Sequence, residues 1–145
     1  KIKFVNLEFK TYGTLANFLS KILAFKYQVD NNIKYMCLIE DDLLLKPNFK
    51  EYINSKLHLL DDCNMLRLDN WGEGYVTTVE GARNIINNVY YYGILLNIDN
   101  QLRLLSGKEI RLTDTPWTLL IEGNKGDCLK TKEIPKNIIW KLQNL

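Results

Sequence analysis

Apolar and polar positions along the chain follow two periods, and the switches between them mark the elements. From Leu15 onward the apolar residues Leu15, Phe18, Leu19, Ile22, Leu23 and Val29 recur at helical spacing, with Lys21, Lys26 and Asp30 between them. That period predicts an amphipathic helix packed on a sheet and ending at Asp30-Asn31-Asn32. Upstream, Ile2-Lys3-Phe4-Val5-Asn6 alternates weakly and is rich in strand formers, and a turn at Tyr12-Gly13 separates the two. Met36-Cys37-Leu38-Ile39 is short, continuous and apolar, as expected of a strand buried on both faces. Pro47 suits the first turn of a short helix that carries Phe49, Tyr52 and Ile53 inward. A further strand is expected at Met65-Leu66-Arg67-Leu68, broken by the turn residues Asp69-Asn70-Trp71-Gly72. Gly74-Tyr75-Val76-Thr77-Thr78 then feeds a helix over Val79–Tyr90, with Ala82, Ile85, Ile86 and Val89 on one face and Gly93 as its stop. Asn97 caps a short helix through Asp99, Leu102 and Leu105. Short strands at Ile110–Leu112 and Trp117–Ile121 flank Pro116, and a last helix opens at Pro135. Alternating strands and helices predict an α/β sandwich with a mostly parallel central sheet.

At 145 residues the chain is one domain's worth, 1–145, and is long enough to bury a proper core. The 19 basic and 17 acidic residues are mixed along it rather than gathered in a stripe, which disfavours nucleic acid as a partner. No apolar run approaches a membrane span and no signal-peptide pattern opens the chain, so a soluble, cytoplasmic setting is expected. Lys1 rather than Met stands first, which suits a segment of something longer. Cys37, Cys63 and Cys128 are odd in number and widely spaced, so neither a disulfide framework nor a zinc site is indicated. His58 is the sole histidine, which leaves a Ser-His-Asp triad little to build on.

Charge changes the picture at one place. The apolar run at Met36–Ile39 ends in Glu40, Asp41 and Asp42. Ligands of open α/β sheets sit outside the carboxyl ends of the strands, where these acids fall. In an extended chain Glu40 and Asp42 point to one side and Asp41 to the other. Two carboxylates on one side repel unless a cation bridges them, and Mg²⁺ is commonly held by one or two carboxylates plus substrate phosphates. This predicts a Mn²⁺ or Mg²⁺ site on Glu40 and Asp42 that holds a diphosphate. The same acids also suit a solvated turn leading into the Pro47 helix.

The order of these pieces resembles family 25 glycosyltransferases, the lipooligosaccharide and procollagen galactosyltransferase type. The residues that carry the resemblance are Gly13, Ser20, Leu38-Ile39-Glu40-Asp41-Asp42, Gly74-Tyr75, Gly81-Ala82, Asn97-Ile98-Asp99, Thr115-Pro116-Trp117 and Gly126-Asp127-Cys128. Lys21 stands where the family usually has a histidine after the serine, and Asn97 where it has a proline. The resemblance implies a GT-A-like, Rossmann-like fold, with the N-terminal strand–helix–strand of that fold reduced here or lying upstream. It also implies a metal-dependent transfer of galactose or glucose from a UDP-sugar to a saccharide or protein hydroxyl, with inversion. Gly13, Ser20, Asp41 and Asp127 would then contact the donor, and Asp99 would be the general base that takes the acceptor's proton. Asp99 equally suits the first turn of its helix, where a carboxylate is favoured. The contrasting expectation is a non-catalytic remnant of the fold that binds a glycan or another protein.

Overall fold

Thr11 starts the first helix: its Oγ1 accepts from the Thr14 amide at 3.2 Å, satisfying one of the amide groups that a helix N-terminus leaves unpaired. In the computed structural model, which describes residues 11–41, 43–68, 72–94, 98–114 and 117–119, this helix α1 spans Tyr12–Asp30. Gly13 therefore lies in its first turn rather than in a preceding loop. The inward stripe is Phe18, Lys21, Ile22, Phe25 and Gln28. Leu19 and Leu23, expected to face the core, are exposed on the flank, and Lys21 takes the place they were given.

Strands β1 (Tyr35–Ile39), β2 (Leu43–Leu45), β3 (Met65–Arg67), β4 (Gly74–Thr78), β5 (Glu109–Arg111) and β6 (Trp117–Leu119) follow, with helices α2 (Phe49–Lys56), α3 (Val79–Tyr92) and α4 (Ile98–Leu105) between them. The expected strand at 2–6 and the helix from Pro135 lie outside the described residues. Four strands form one sheet in the order β1-β4-β3-β5, while β2 and β6 pair separately. The architecture is mixed α/β with a small mixed sheet, not the mostly parallel sheet expected. Among the described residues of this sheet, β1 and β3 both pair antiparallel with β4, and only β3 and β5 pair parallel. Chain length explains this: the link from Arg67 to Gly74 suffices for a hairpin, whereas a parallel return needs a crossover of a dozen residues or more. Among the described residues β1 has β4 as its one neighbour, so it ends the sheet and is only half-buried, with Cys37 exposed. The expected burial on both faces is not met there.

Alternation along β3 and β4 divides the core in two. Met65 and Tyr75 point to one face, into a cluster with Phe18, Ile22 and Phe25 of α1, Ala82, Ile85 and Val89 of α3, and Ile98 and Leu102 of α4. Leu66, Leu68 and Val76 point to the other, packing with Leu43, Ile53, Leu60, Cys63 and Leu112. The first face also carries polar side chains that need partners in the interior. Thr77 Oγ1 donates to Gln28 Oε1 at 2.7 Å while Gln28 Nε2 donates to the Thr77 carbonyl at 2.9 Å, locking α1 to β4.

Helix α3 begins where Thr78 Oγ1 accepts from the Gly81 amide at 2.9 Å. A Cβ at Gly81 would collide with the Asn64 backbone carbonyl, so α3 can approach the start of β3 only with glycine there. Gly93, at φ +81°, ends the helix. Gly81→Ala should therefore destabilise the protein by about 1–3 kcal/mol despite alanine's higher helix propensity. Urea unfolding checks this, and an unchanged or raised midpoint would contradict the close approach.

Candidate active site

β1 and β3 run the same way, so their carboxyl ends and the start of β4 share one edge of the sheet: Ile39 is opposite Gly74 and Arg67 opposite Tyr75. Just past this edge the Glu40 amide donates to the Glu73 carbonyl at 3.0 Å, which extends the pairing by a step and fixes Glu40. Helix α4 brings Asp99, in its first turn, to the same edge. Between them lies Lys21 of α1. Its Nζ donates to Glu40 Oε1 at 2.9 Å, to Asp99 Oδ1 at 2.9 Å and to the Gly72 carbonyl at 3.2 Å. An ammonium has three donors, and here all three are used.

The exposures differ in a way that matters chemically. The Lys21 side chain is 8% exposed, whereas those of Glu40 and Asp99 are 30% and 33% exposed. A buried cation thus holds two carboxylates that still reach solvent. Tyr75 donates its hydroxyl to Asp99 Oδ1 at 2.9 Å, and its ring lies 5.5 Å from the Lys21 ammonium. Burial, reinforced by the Asp99 charge, pushes the Tyr75 hydroxyl far above the ordinary tyrosine range, so it remains a donor. Arg67 donates to the Asp99 backbone carbonyl at 2.7 Å and lies 3.4 Å from the Tyr75 hydroxyl. Gly72 has φ +94°, and a Cβ there would sit 2.5 Å from the Tyr75 hydroxyl and 2.6 Å from Asp99 Oδ1. Only glycine lets this link pass over the cluster and offer its carbonyl.

Of the residues singled out from sequence, the structure brings Glu40 and Asp99 together, through Lys21. Asp41 follows Glu40 in the turn and is exposed. Ser20 is exposed on α1, turned about 100° from its neighbour Lys21 by the helical repeat. Gly13 lies about 12 Å from Lys21 along the helix axis at 1.5 Å per residue. Asp42, Asp127 and Trp71 lie outside the described residues. Asp114 stands apart, accepting from the Tyr52 hydroxyl at 2.9 Å, and that bond holds its carboxyl below the ordinary range. Lys21, Arg67 and Gly72 were not among the residues singled out from sequence. The signal for Lys21 and Arg67 was there: a charged residue inside an apolar helical stripe, or inside a short apolar strand, requires a buried partner.

Whether a divalent ion fits can be judged from Lys21. The groups around Nζ are all oxygens, which suit Mn²⁺ or Mg²⁺ in kind. The ammonium already fills the space between them. A divalent ion about 4 Å from it would meet a repulsion of about 8 kcal/mol at an effective dielectric constant of about 20. The Glu40–Asp99 pair does not fit a metal while Lys21 is in place.

Lys21, Glu40, Gly72, Tyr75 and Asp99 thus gather at one edge of a small mixed α/β sheet. Residues 7–92 match glycosyltransferase family 25 (LPS biosynthesis protein), and the chain belongs to that family. The match takes in Lys21, Glu40, Arg67, Gly72 and Tyr75, while Asp99 lies beyond it. No curated protein matches the chain.

Removing the central cation leaves two carboxylates facing one another. Lys21→Met should cost about 3 kcal/mol, the low end for breaking a buried ion pair, because the carboxylates keep partial hydration. Urea unfolding at neutral pH measures this, and a loss well under 1 kcal/mol would make the ammonium incidental. A second expectation concerns alkali. Because the Tyr75 hydroxyl stays protonated in the folded state while an unfolded tyrosine ionises near pH 10, folding stability should fall as pH rises past about 10. Tyr75→Phe should flatten that fall, and identical slopes for parent and variant would refute it.

Proposed function

We propose that the chain is a glycosyltransferase that moves a hexose, galactose or glucose, from a UDP-sugar to a hydroxyl of a saccharide or protein acceptor. Family membership supports glycosyl transfer, and one observation ties it to residues: Glu40 and Asp99, from separate elements, each lie 2.9 Å from one buried ammonium and keep a solvent-accessible side. In an inverting transfer the acceptor oxygen bonds to the anomeric carbon as the bond from that carbon to the diphosphate oxygen breaks. UDP leaves with the electron pair, and the acceptor's proton goes to a base. Asp99 takes that proton in our reading. Its Oδ1 is held by Lys21 and Tyr75, so Oδ2 is the oxygen that would act. Fixing the carboxylate beforehand removes reorganisation from the reacting step. Glu40 accepts a hydroxyl of the sugar or of the acceptor. The Mn²⁺ or Mg²⁺ expected on Glu40 and Asp42 is not part of this reading, because Lys21 takes Glu40 Oε1 and its charge would repel a divalent ion beside it.

A second reading rests on the same ammonium. With every N–H of Lys21 used within the protein, the cluster also suits a structural tie in a domain that binds a glycan or a protein without transferring sugar. Calorimetric titration with a UDP-hexose, followed by single-turnover transfer, separates the two. Asp99→Asn should lower the transfer rate by about 10²–10⁴-fold with donor affinity little changed. A parent protein that binds no UDP-sugar would sink the transferase reading. An unchanged rate would return Asp99 to its place in the helical first turn.

A further inference from the structure

The oxygens around the Lys21 ammonium are those a hard divalent ion would use: one oxygen each from Glu40 and Asp99, and the Gly72 carbonyl. They come from three separate segments and converge on a point inside the protein, where the lysine stem reaches along the apolar stripe of α1. The Tyr75 ring closes one side of this point, and a Cβ at Gly72 would intrude on the cluster. The cage is built for a cation, and the chain supplies one covalently. We infer that Lys21 is the resident cation of the Glu40–Asp99 pair, occupying the position a divalent ion would otherwise take, so that Glu40 is not a metal ligand in this protein.

Two consequences distinguish this from an ordinary ion pair. Lys21 is a positioning residue: its three donors are spent on protein oxygens, so it orients the carboxylates and does not touch a diphosphate itself. Its removal should also convert the cluster into a divalent-ion site, because two carboxylates and a carbonyl are left around an empty position. The inference stands on this geometry alone and holds whichever donor the protein takes.

Electron paramagnetic resonance of free Mn²⁺, titrated without nucleotide, tests it on the parent, Glu40→Gln, Lys21→Gln, Lys21→Arg and the Lys21→Gln/Glu40→Gln double variant. In the parent, Mn²⁺ should be unbound, or bound equally by Glu40→Gln because it sits on other acids such as Asp41. Either result agrees with the inference. Binding by the parent that Glu40→Gln abolishes would overturn it. Lys21→Gln should take up Mn²⁺ about tenfold or more tightly than the parent, and the double variant should lose that gain. Lys21→Arg, which keeps the charge, should behave as the parent; a purely structural lysine would give no such pattern. A folded Lys21→Gln protein without added Mn²⁺ affinity would also overturn the inference. Should Lys21→Gln fail to fold, the comparison of parent with Glu40→Gln still decides. If the parent binds no UDP-hexose by calorimetry, the transferase reading fails while the Mn²⁺ results keep their meaning.

Discussion

The need of one buried ammonium for oxygen partners organises this structure. Lys21 sits on the inward stripe of α1 between Phe18, Ile22 and Phe25, where a charge is tolerated only if every N–H finds an acceptor. Meeting that need draws in the turn after β1, the link before β4 and the first turn of α4. The same contacts fix the two carboxylates on which the proposed chemistry depends. Packing and function are therefore not separable at this point.

The reversed strand β4 supplies the rest of the setting. By returning antiparallel between β1 and β3, it sets the start of its own chain beside their carboxyl ends and turns Tyr75 under the helices. A polar row, Arg67, Tyr75 and Thr77, then runs across a face otherwise packed with apolar side chains. Thr77 is matched by Gln28, Tyr75 by Asp99, and one terminal nitrogen of Arg67 by the Asp99 carbonyl, while the buried Arg67 Nε has no partner among the described residues. Helix α1 and helix α4 are held over the sheet partly by these polar contacts, which are directional where apolar packing is not.

Much of this was legible in the sequence, and the losses have physical reasons. Helix α3 and strand β4 were readable because β-branched and aromatic residues give way to a clean helical period at Val79, with Gly93 as a stop. The acids after Ile39 drew attention to the edge at which Glu40 meets Lys21, and Asp99 was reached through the resemblance rather than through any local pattern. Sheet direction was misread because alternation of elements does not show which links are long enough for a crossover, and the link from Arg67 to Gly74 is not. The inward side of α1 was misplaced because leucines at Leu19 and Leu23 outweighed a lysine in any apolar count, whereas the fold selects the face whose polar members have partners. Local composition cannot show that partnership when the partners come from another part of the chain.

That distance carries its own consequence for how the molecule comes into being. The contact between Lys21 and Asp99 joins residues 78 positions apart, and the one with Gly72 spans 51. Loop closure over such spans is unfavourable until the intervening segments have condensed. A growing or partly folded chain thus has an isolated lysine on one helix and solvated acids elsewhere, with no cluster at all. The Lys21 cluster can therefore form only once the segments that carry Gly72 and Asp99 have been brought against α1.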